Sequence, residues 1–453
     1  MERLNSLHTP SFVQVFQWAT RPSDFLDACT RLHGDIFTVK FPGDKPLVFI
    51  SHPKALEQIF TAPPGTFQYR ECSEILRPYM GEHSLLLLEG NSHRRQRKML
   101  MPPFHGERMR VYGKLTCDLT EQMIKTWKVG EAFNLHSCMR SISLNIILHA
   151  VFGLVERERS EQLSQKLSVM LKMISTPILA LHIFLPPLQK DWGFWSVWGR
   201  FIRLRNEVDR LLYAEIAQRR KQFQPERTDI LNLMIAARDE EGQPMSDEEL
   251  RDQLMTLLLS GQDTTTTAMT WAFYWIHKIP RVRKRLVEEL DTITNSSDIK
   301  AITQLPYLTA TCQETLRFYP SIIEGFPRVA KTPFEIMGYK FPIGSRLCPN
   351  IYSAHHRKEV YPEPESFMPE RFLEKQFSPY EFLPFGGGER LCIGQAFSQF
   401  QMKMMLFTIL SRYELALDDP CPLHPIRRGP GLAPSRDLRM IVAAPHQLQA
   451  NAT

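Results

Sequence analysis

One cysteine in a glycine-rich bend is the residue of this chain best placed for unusual chemistry. The run Phe385-Gly386-Gly387-Gly388-Glu389-Arg390-Leu391-Cys392-Ile393-Gly394 sets Cys392 two residues after an arginine and two before a glycine. The next cysteines, Cys348 and Cys421, stand in unrelated contexts, so no local metal pair forms. A lone thiolate suits a metal centre that takes one axial sulfur from the protein, and haem iron is such a centre. Glycines let backbone N–H groups turn toward the sulfur. Helical spacing resumes at once through Ala396, Phe397, Phe400, Met404, Phe407 and Leu410. Cys392 is therefore expected at a helix N-terminus, which favours the ionised sulfur. The plainer alternative is a structural cysteine buried after a glycine turn.

A second chemical constellation lies within 254–276, where apolar residues flank Ser260-Gly261-Gln262-Asp263-Thr264-Thr265. Apolar residues all round predict a buried helix. A glycine beside hydroxyls can open its hydrogen-bond ladder. Asp263 and Thr264 form an acid–alcohol pair, apt for delivering protons inside a core. The competing reading makes Ser260 or Asp263 an N-cap that ends one helix and starts another.

These residues resemble a known family. The run 385–394 fills every defined position of the Phe-x-x-Gly-x-Arg-x-Cys-x-Gly pattern of the cytochromes P450, the haem-thiolate monooxygenases, with Phe385, Gly388, Arg390, Cys392 and Gly394. Glu314-Thr315-Leu316-Arg317 resembles the family's Glu-x-x-Arg helix, and Pro369-Glu370-Arg371-Phe372 its Pro-Glu-Arg-Phe segment. The resemblance implies that Glu314, Arg317 and Arg371 form a buried structural charge cluster. The alternative is an exposed i,i+3 pair worth roughly 0.2–0.5 kcal/mol.

The same resemblance implies haem b with Cys392 as axial ligand, lying between the long central helix and the cysteine loop. Thr264 would present its hydroxyl over the distal face, and Asp263 would link it to a proton source. Ser260 departs from the Ala or Gly usual at that motif position. For the haem propionates the resemblance offers His93 and Arg97, in place of Trp-x-x-x-Arg, together with Arg328 and Arg390. Arg94, Arg95 and Lys98 read as a solvated basic face. The resemblance covers roughly 22–445 and implies a single domain over 1–453. The fold expected is mainly α with a small β region near 35–51 and 330–345.

The elements that must position these groups are legible in outline. Residues 35–41 alternate like a strand, turn at Pro42-Gly43-Asp44 and return through 47–50. Residues 334–336 and 340–343 flank Met337-Gly338-Tyr339 as a second hairpin. Helical patterns run over 107–127, 142–152, 161–173 and 201–223. The acidic loop 238–249 leads to the long helix, with Ser246 and Glu249 as a capping box.

Composition agrees. Of 453 residues 43% are hydrophobic, ample for a core, and eight scattered cysteines show no disulfide-like spacing, which fits a reducing cytoplasm. No apolar stretch approaches the roughly 20 residues of a membrane span. A soluble, bacterial-type, monomeric member with no anchor and no fused reductase is expected. The formal charge is only +6, and the basic clusters lack aromatic interleaving, so nucleic acid is not expected as a partner. The resemblance implies O2, electrons from a ferredoxin or flavodoxin with its reductase, and an apolar small-molecule substrate. Leu85, Leu86, Met170, Met173, Ile178, Leu258, Leu259, Ile322, Ile323 and Phe326 would suit a fatty acid, terpenoid or steroid-like skeleton. Arg70 or Arg77 could anchor a carboxylate, though each reads more simply as a surface arginine. A haem-thiolate peroxide isomerase or dehydratase, or a non-catalytic haem sensor, is the alternative function. Neither would need the Asp263–Thr264 pair.

Overall fold

The long helix Asp247–Lys278 is the element on which the second constellation depends, and it is continuous. Its start follows the sequence rule. Ser246 Oγ accepts the Glu249 N–H at 3.1 Å, and the Glu249 carboxylate accepts the Ser246 N–H at 2.8 Å. Asp247, Glu248 and Glu249 occupy its first turn and His277 and Lys278 its last, matching the helix dipole at both ends. Helical structure runs unbroken through 260–265, so the N-cap reading of Ser260 or Asp263 is excluded.

The computed structural model describes residues 7, 9–40, 45–153, 157–174, 189–428 and 431–446. It contains two compact units. The first comprises Met1–Tyr69, Met109–Ile142 and Thr264–Thr453, and the second Arg70–Arg108 and Ser143–Asp263.

In the first unit a five-stranded sheet is ordered Ile36–Val39, Leu47–Ile50, Arg346–Pro349, Arg328–Ala330, Phe67–Gln68. The first pair is antiparallel with Ile36 opposite Ile50, as the alternation predicted; its turn lies outside the described residues. Arg346–Pro349 joins it in parallel. Ile50, Leu56, Phe341, Leu347 and Leu383 pack into a core beneath this sheet. The second hairpin pairs Phe334–Ile336 with Tyr339–Phe341. Its turn is the two residues Met337 and Gly338, both at positive φ (50° and 85°). That conformation matches strand twist in a tight hairpin and returns Tyr339 to the strand, one residue earlier than the sequence suggested. The helices Arg108–Ile124, Pro306–Phe318 and Gln395–Leu410 complete the unit's described frame around the cysteine loop.

The second unit is helical. Gly90–Leu100, Ser143 to Phe152 of the helix Leu135–Phe152, Arg157–Ile174 and Val197–Lys221 are its main described segments, beside the N-terminal half of the long helix. Sequence periodicity predicted three of these helices, over 142–152, 161–173 and 201–223; each begins four to seven residues earlier, because the terminal turns carry little amphipathic signal.

Candidate functional site

The cysteine loop is a set of tight turns closed by its own backbone. Gly386 N–H donates to Leu383 O at 2.9 Å, Leu391 N–H to Gly388 O at 3.1 Å, and Cys392 N–H to Phe385 O at 3.0 Å. Gly388 sits at φ 65°, where a side chain is strained, and a Cβ there would lie 2.7 Å from the Phe60 carbonyl oxygen. Glycine is thus required at Gly388 on two counts. Gly394 flanks the helix Gln395–Leu410, and a Cβ on it would stand 3.9 Å from Cys392 Sγ, an ordinary contact. Cys392 is exposed at the end of this loop and Phe385 is half-buried.

Two arginines flank one aromatic ring in the same unit. Arg328 is 2% exposed, and its guanidinium lies 4.9, 5.8 and 5.4 Å from the ring centres of Phe60, Phe67 and Tyr69. Arg390 lies 4.3 Å from the centre of the Tyr69 ring. Burial pulls the Arg328 pKa down, opposed by Tyr69, Cys348 and Glu389. Burial first, and Glu389 with it, raises Tyr69. Arg328 Nε is buried with no hydrogen-bond partner among the described residues. A buried cation with an unmet donor calls for an anion. A carboxylate-bearing group such as haem b meets that demand beside an accessible thiol on a glycine loop, so the residues fit the group.

Tyr69, Phe60 and Phe67 were missed in the sequence. They lie far from Arg328 and Arg390 along the chain. Only the antiparallel pairing of Phe67 with Ala330 and Gln68 with Val329 brings them alongside. The alternation Phe67, Tyr69 was the sole available signal.

The long helix carries the acid–alcohol pair on an accessible stripe. Its flanks are buried, yet Ser260 is exposed and Gly261, Asp263, Thr264 and Thr267 are half-buried. Residues 260, 263, 264 and 267 share one helical face. The helix thus keeps accessible surface at its polar centre, between apolar flanks that are mostly buried. The Thr264 carbonyl also accepts the Ser321 hydroxyl at 2.8 Å.

His93 is buried and Arg97 half-buried on Gly90–Leu100, one turn apart on one face. The neighbouring cations correct the sequence reading of a wholly solvated face. Arg95 bridges Asp239 at 2.6 Å and Glu249 at 2.7 Å, and Lys98 meets Glu240 at 2.9 Å. The basic cluster thus binds the acidic loop of its own unit. Arg94 is exposed and reaches Asn91 at 2.7 Å. Arg70 and Arg77 are exposed and both pair with Glu74 and Glu82, the surface role first suggested for them.

The expected charge cluster is present. Arg317 binds Glu314 through two hydrogen bonds of 2.7 and 2.8 Å, and Arg371 approaches the same carboxylate at 3.3 Å. Glu314 and Arg317 are fully buried. The carbonyls of His355, Pro364, Ser366 and Pro362 take further guanidinium donors. The exposed-pair alternative is excluded.

Of the apolar residues suggested for the substrate, Met170, Leu258 and Ile323 have no exposed surface, and Ile323 packs in a core cluster with Phe25 and Phe37. They are core residues. Leu86, Met173, Leu259, Ile322 and Phe326 keep accessible surface, and Leu85 is 6% exposed. Ile178 lies outside the described residues.

Comparison with known proteins gives one consistent result. The sequence profile of the family described as cytochrome P450 matches residues 6–438. Cytochrome P450 135B1 of Mycobacterium tuberculosis is 33% identical over 430 residues, covering 94% of this chain and 88% of that protein. Cytochrome P450 137 of the same organism is 32% identical over 415 residues, covering 90% and 83%. Among solved structures, retinoic acid bound cyanobacterial CYP120A1 has a TM-score of 0.81 at 25% identity, covering 93% of this chain and 95% of its own. The heme domain of a cytochrome P450DA mutant reaches 0.86 at 19% identity over 99% of both chains.

Proposed function

The chain belongs to the cytochrome P450 family, the haem-thiolate oxidoreductases with haem b as cofactor, and from that premise we propose that it hydroxylates an apolar hydrocarbon skeleton. Haem b, when bound, supplies dioxygen activation and transfer of one oxygen atom to the substrate. The observation that carries the reading is the accessible stripe at Ser260, Asp263, Thr264 and Thr267 on an otherwise buried helix. A peroxide isomerase or a passive haem sensor has no use for an accessible acid–alcohol pair.

In this reading Cys392 Sγ is the iron ligand, and the glycine loop of Phe385, Gly388 and Gly394 holds it. Arg328 and Arg390 bind the propionate carboxylates, with His93 and Arg97 as further donors. Thr264 holds a proton at Oγ, and Asp263 refills it. The half-buried Leu86, Met173, Leu259 and Ile322 favour an apolar substrate such as a fatty acid, terpenoid or steroid. Binding of retinoic acid, a terpenoid acid, by the cyanobacterial relative supports that class. We further read the chain as one haem-thiolate domain, a cytoplasmic monomer fed by a ferredoxin or flavodoxin and its reductase. Among the described residues no helix is long and apolar enough to cross a membrane.

The test begins with the ligand. The reduced protein with CO is expected to show the red-shifted Soret band of thiolate ligation, and Cys392→His is expected to lose it while keeping haem. A thiolate spectrum in Cys392→His overturns the assignment. Purified protein with NAD(P)H, surrogate ferredoxin and reductase, and a hydrocarbon acid found by spectral titration should then consume reductant and form a hydroxylated product. Peroxide rearrangement without reductant would overturn the monooxygenase reading.

A further inference from the structure

We propose that His355 is a positioning residue for the Cys392 loop, coupling it to the buried Glu314–Arg317–Arg371 cluster; this rests on the assignment of Cys392 as ligand. His355 ends the short helix Ile351–His355 and is fully buried. Its two acceptors serve opposite sides. The backbone carbonyl accepts Arg317 Nη1 at 2.9 Å. The ring Nε2 accepts the Leu383 N–H at 2.9 Å. Leu383 is 2% exposed and opens the cysteine loop, its carbonyl accepting the Gly386 N–H at 2.9 Å. Phe385, two residues on, accepts the Cys392 N–H at 3.0 Å. A continuous path of short backbone and ring contacts therefore joins the Glu314 carboxylate to the amide of Cys392.

The chemistry of the ring requires one protonation state. An Nε2 that accepts is unprotonated, so the imidazole is neutral with its proton on Nδ1. Burial first, then the charges of Arg317 and His356, hold its pKa well below the ordinary value, and Nδ1 is buried with no hydrogen-bond partner among the described residues. The ring also stacks on Phe382 with centroids 5.5 Å apart and planes 28° from parallel, which fixes its orientation. Among the described residues the ring is the one acceptor seen for the Leu383 N–H: with it gone, that buried N–H is left unmet and the first residue of the loop is free to shift.

The experiment compares two isosteric fragments of the imidazole. His355→Gln carries a carbonyl oxygen that reaches the Nε2 position; the oxygen of His355→Asn reaches only the Nδ1 position. Both holoproteins are reduced under CO in a fixed urea concentration, and the decay of the red-shifted Soret band is followed, with the reduction potential measured in parallel. The Asn variant is expected to lose the thiolate band about tenfold faster than wild type and to shift in potential, and the Gln variant to decay within about twofold of wild type. Equal decay in the two variants overturns the proposal. So does failure of both to bind haem, which would make His355 a folding residue only. Absence of the band in the wild-type protein would instead sink the ligand assignment, and that failure shows before any variant is made.

Discussion

The Arg390 guanidinium lies over the Tyr69 ring, 4.3 Å from its centre, and Arg328 approaches the same ring at 5.4 Å. One tyrosine thus holds two cations of the proposed propionate site at a fixed separation. A cation–π contact contributes about 0.5–1 kcal/mol at exposed sites and about 2 when desolvated. Tyr69→Leu is expected to speed haem transfer to an acceptor globin by a factor of about three to thirty. Tyr69→Phe keeps the ring and should stay near wild type. Equally accelerated transfer in the two variants would show that the hydroxyl and its link to Glu389, not the ring, hold the arginines.

Glu314 is the sole carboxylate that the buried Arg317 and Arg371 are seen to share among the described residues. Glu314→Ala strands two guanidiniums, and removing one partner of a buried pair costs on the order of 3–5 kcal/mol. Little soluble holoprotein is expected. The yield of haem-loaded protein after gel filtration checks this, and wild-type yield would mean that the surrounding carbonyls suffice.

Thr264→Ala removes a hydroxyl from the accessible stripe and leaves a better helix former. Folding and haem content should survive. Protons then arrive from stray water rather than through an ordered hydroxyl, so reductant consumption should continue while hydrogen peroxide replaces much of the product. Product and peroxide per reductant consumed are the measurement. Unchanged coupling would assign the relay to Ser260 or to ordered water.

Asp27 gives the fold a pH dependence. Burial, despite the Tyr352 hydroxyl at 3.0 Å, raises its pKa from the ordinary 3.8 to about 6. An acid with a raised folded pKa binds its proton more tightly folded than unfolded. Its contribution is fully present below pH 3.8 and is lost as pH rises through about 6. Asp27→Asn should therefore flatten the fall in urea midpoint between pH 3.8 and about 6 and should be the more stable protein above that window. A parallel fall in both proteins would place the dependence elsewhere.

Local chemistry was legible in the chain itself. The glycine spacing around Cys392, the Glu314–Arg317 step, the capping box at Ser246 and the two hairpins each depend on residues a few positions apart, where backbone conformation and side-chain reach follow directly from residue type. The long helix was likewise readable from its apolar flanks, although the sequence alone left a break at Ser260 open.

Tertiary structure decided what depends on distant segments meeting. Arg95 read as solvated because nothing local opposes it; the fold pairs it with Asp239 and Glu249. Met170, Leu258 and Ile323 have the same apolar character as Leu259 and Ile322, and only packing separates core from accessible surface. Tyr69 reaches Arg328 and Arg390 because the strand Phe67–Gln68 pairs with Arg328–Ala330. His355 reaches Leu383 because the helix Ile351–His355 packs beneath the loop. Strand register and helix packing are set by the sum of many weak burial energies over the whole chain, so no short run of residues encodes them.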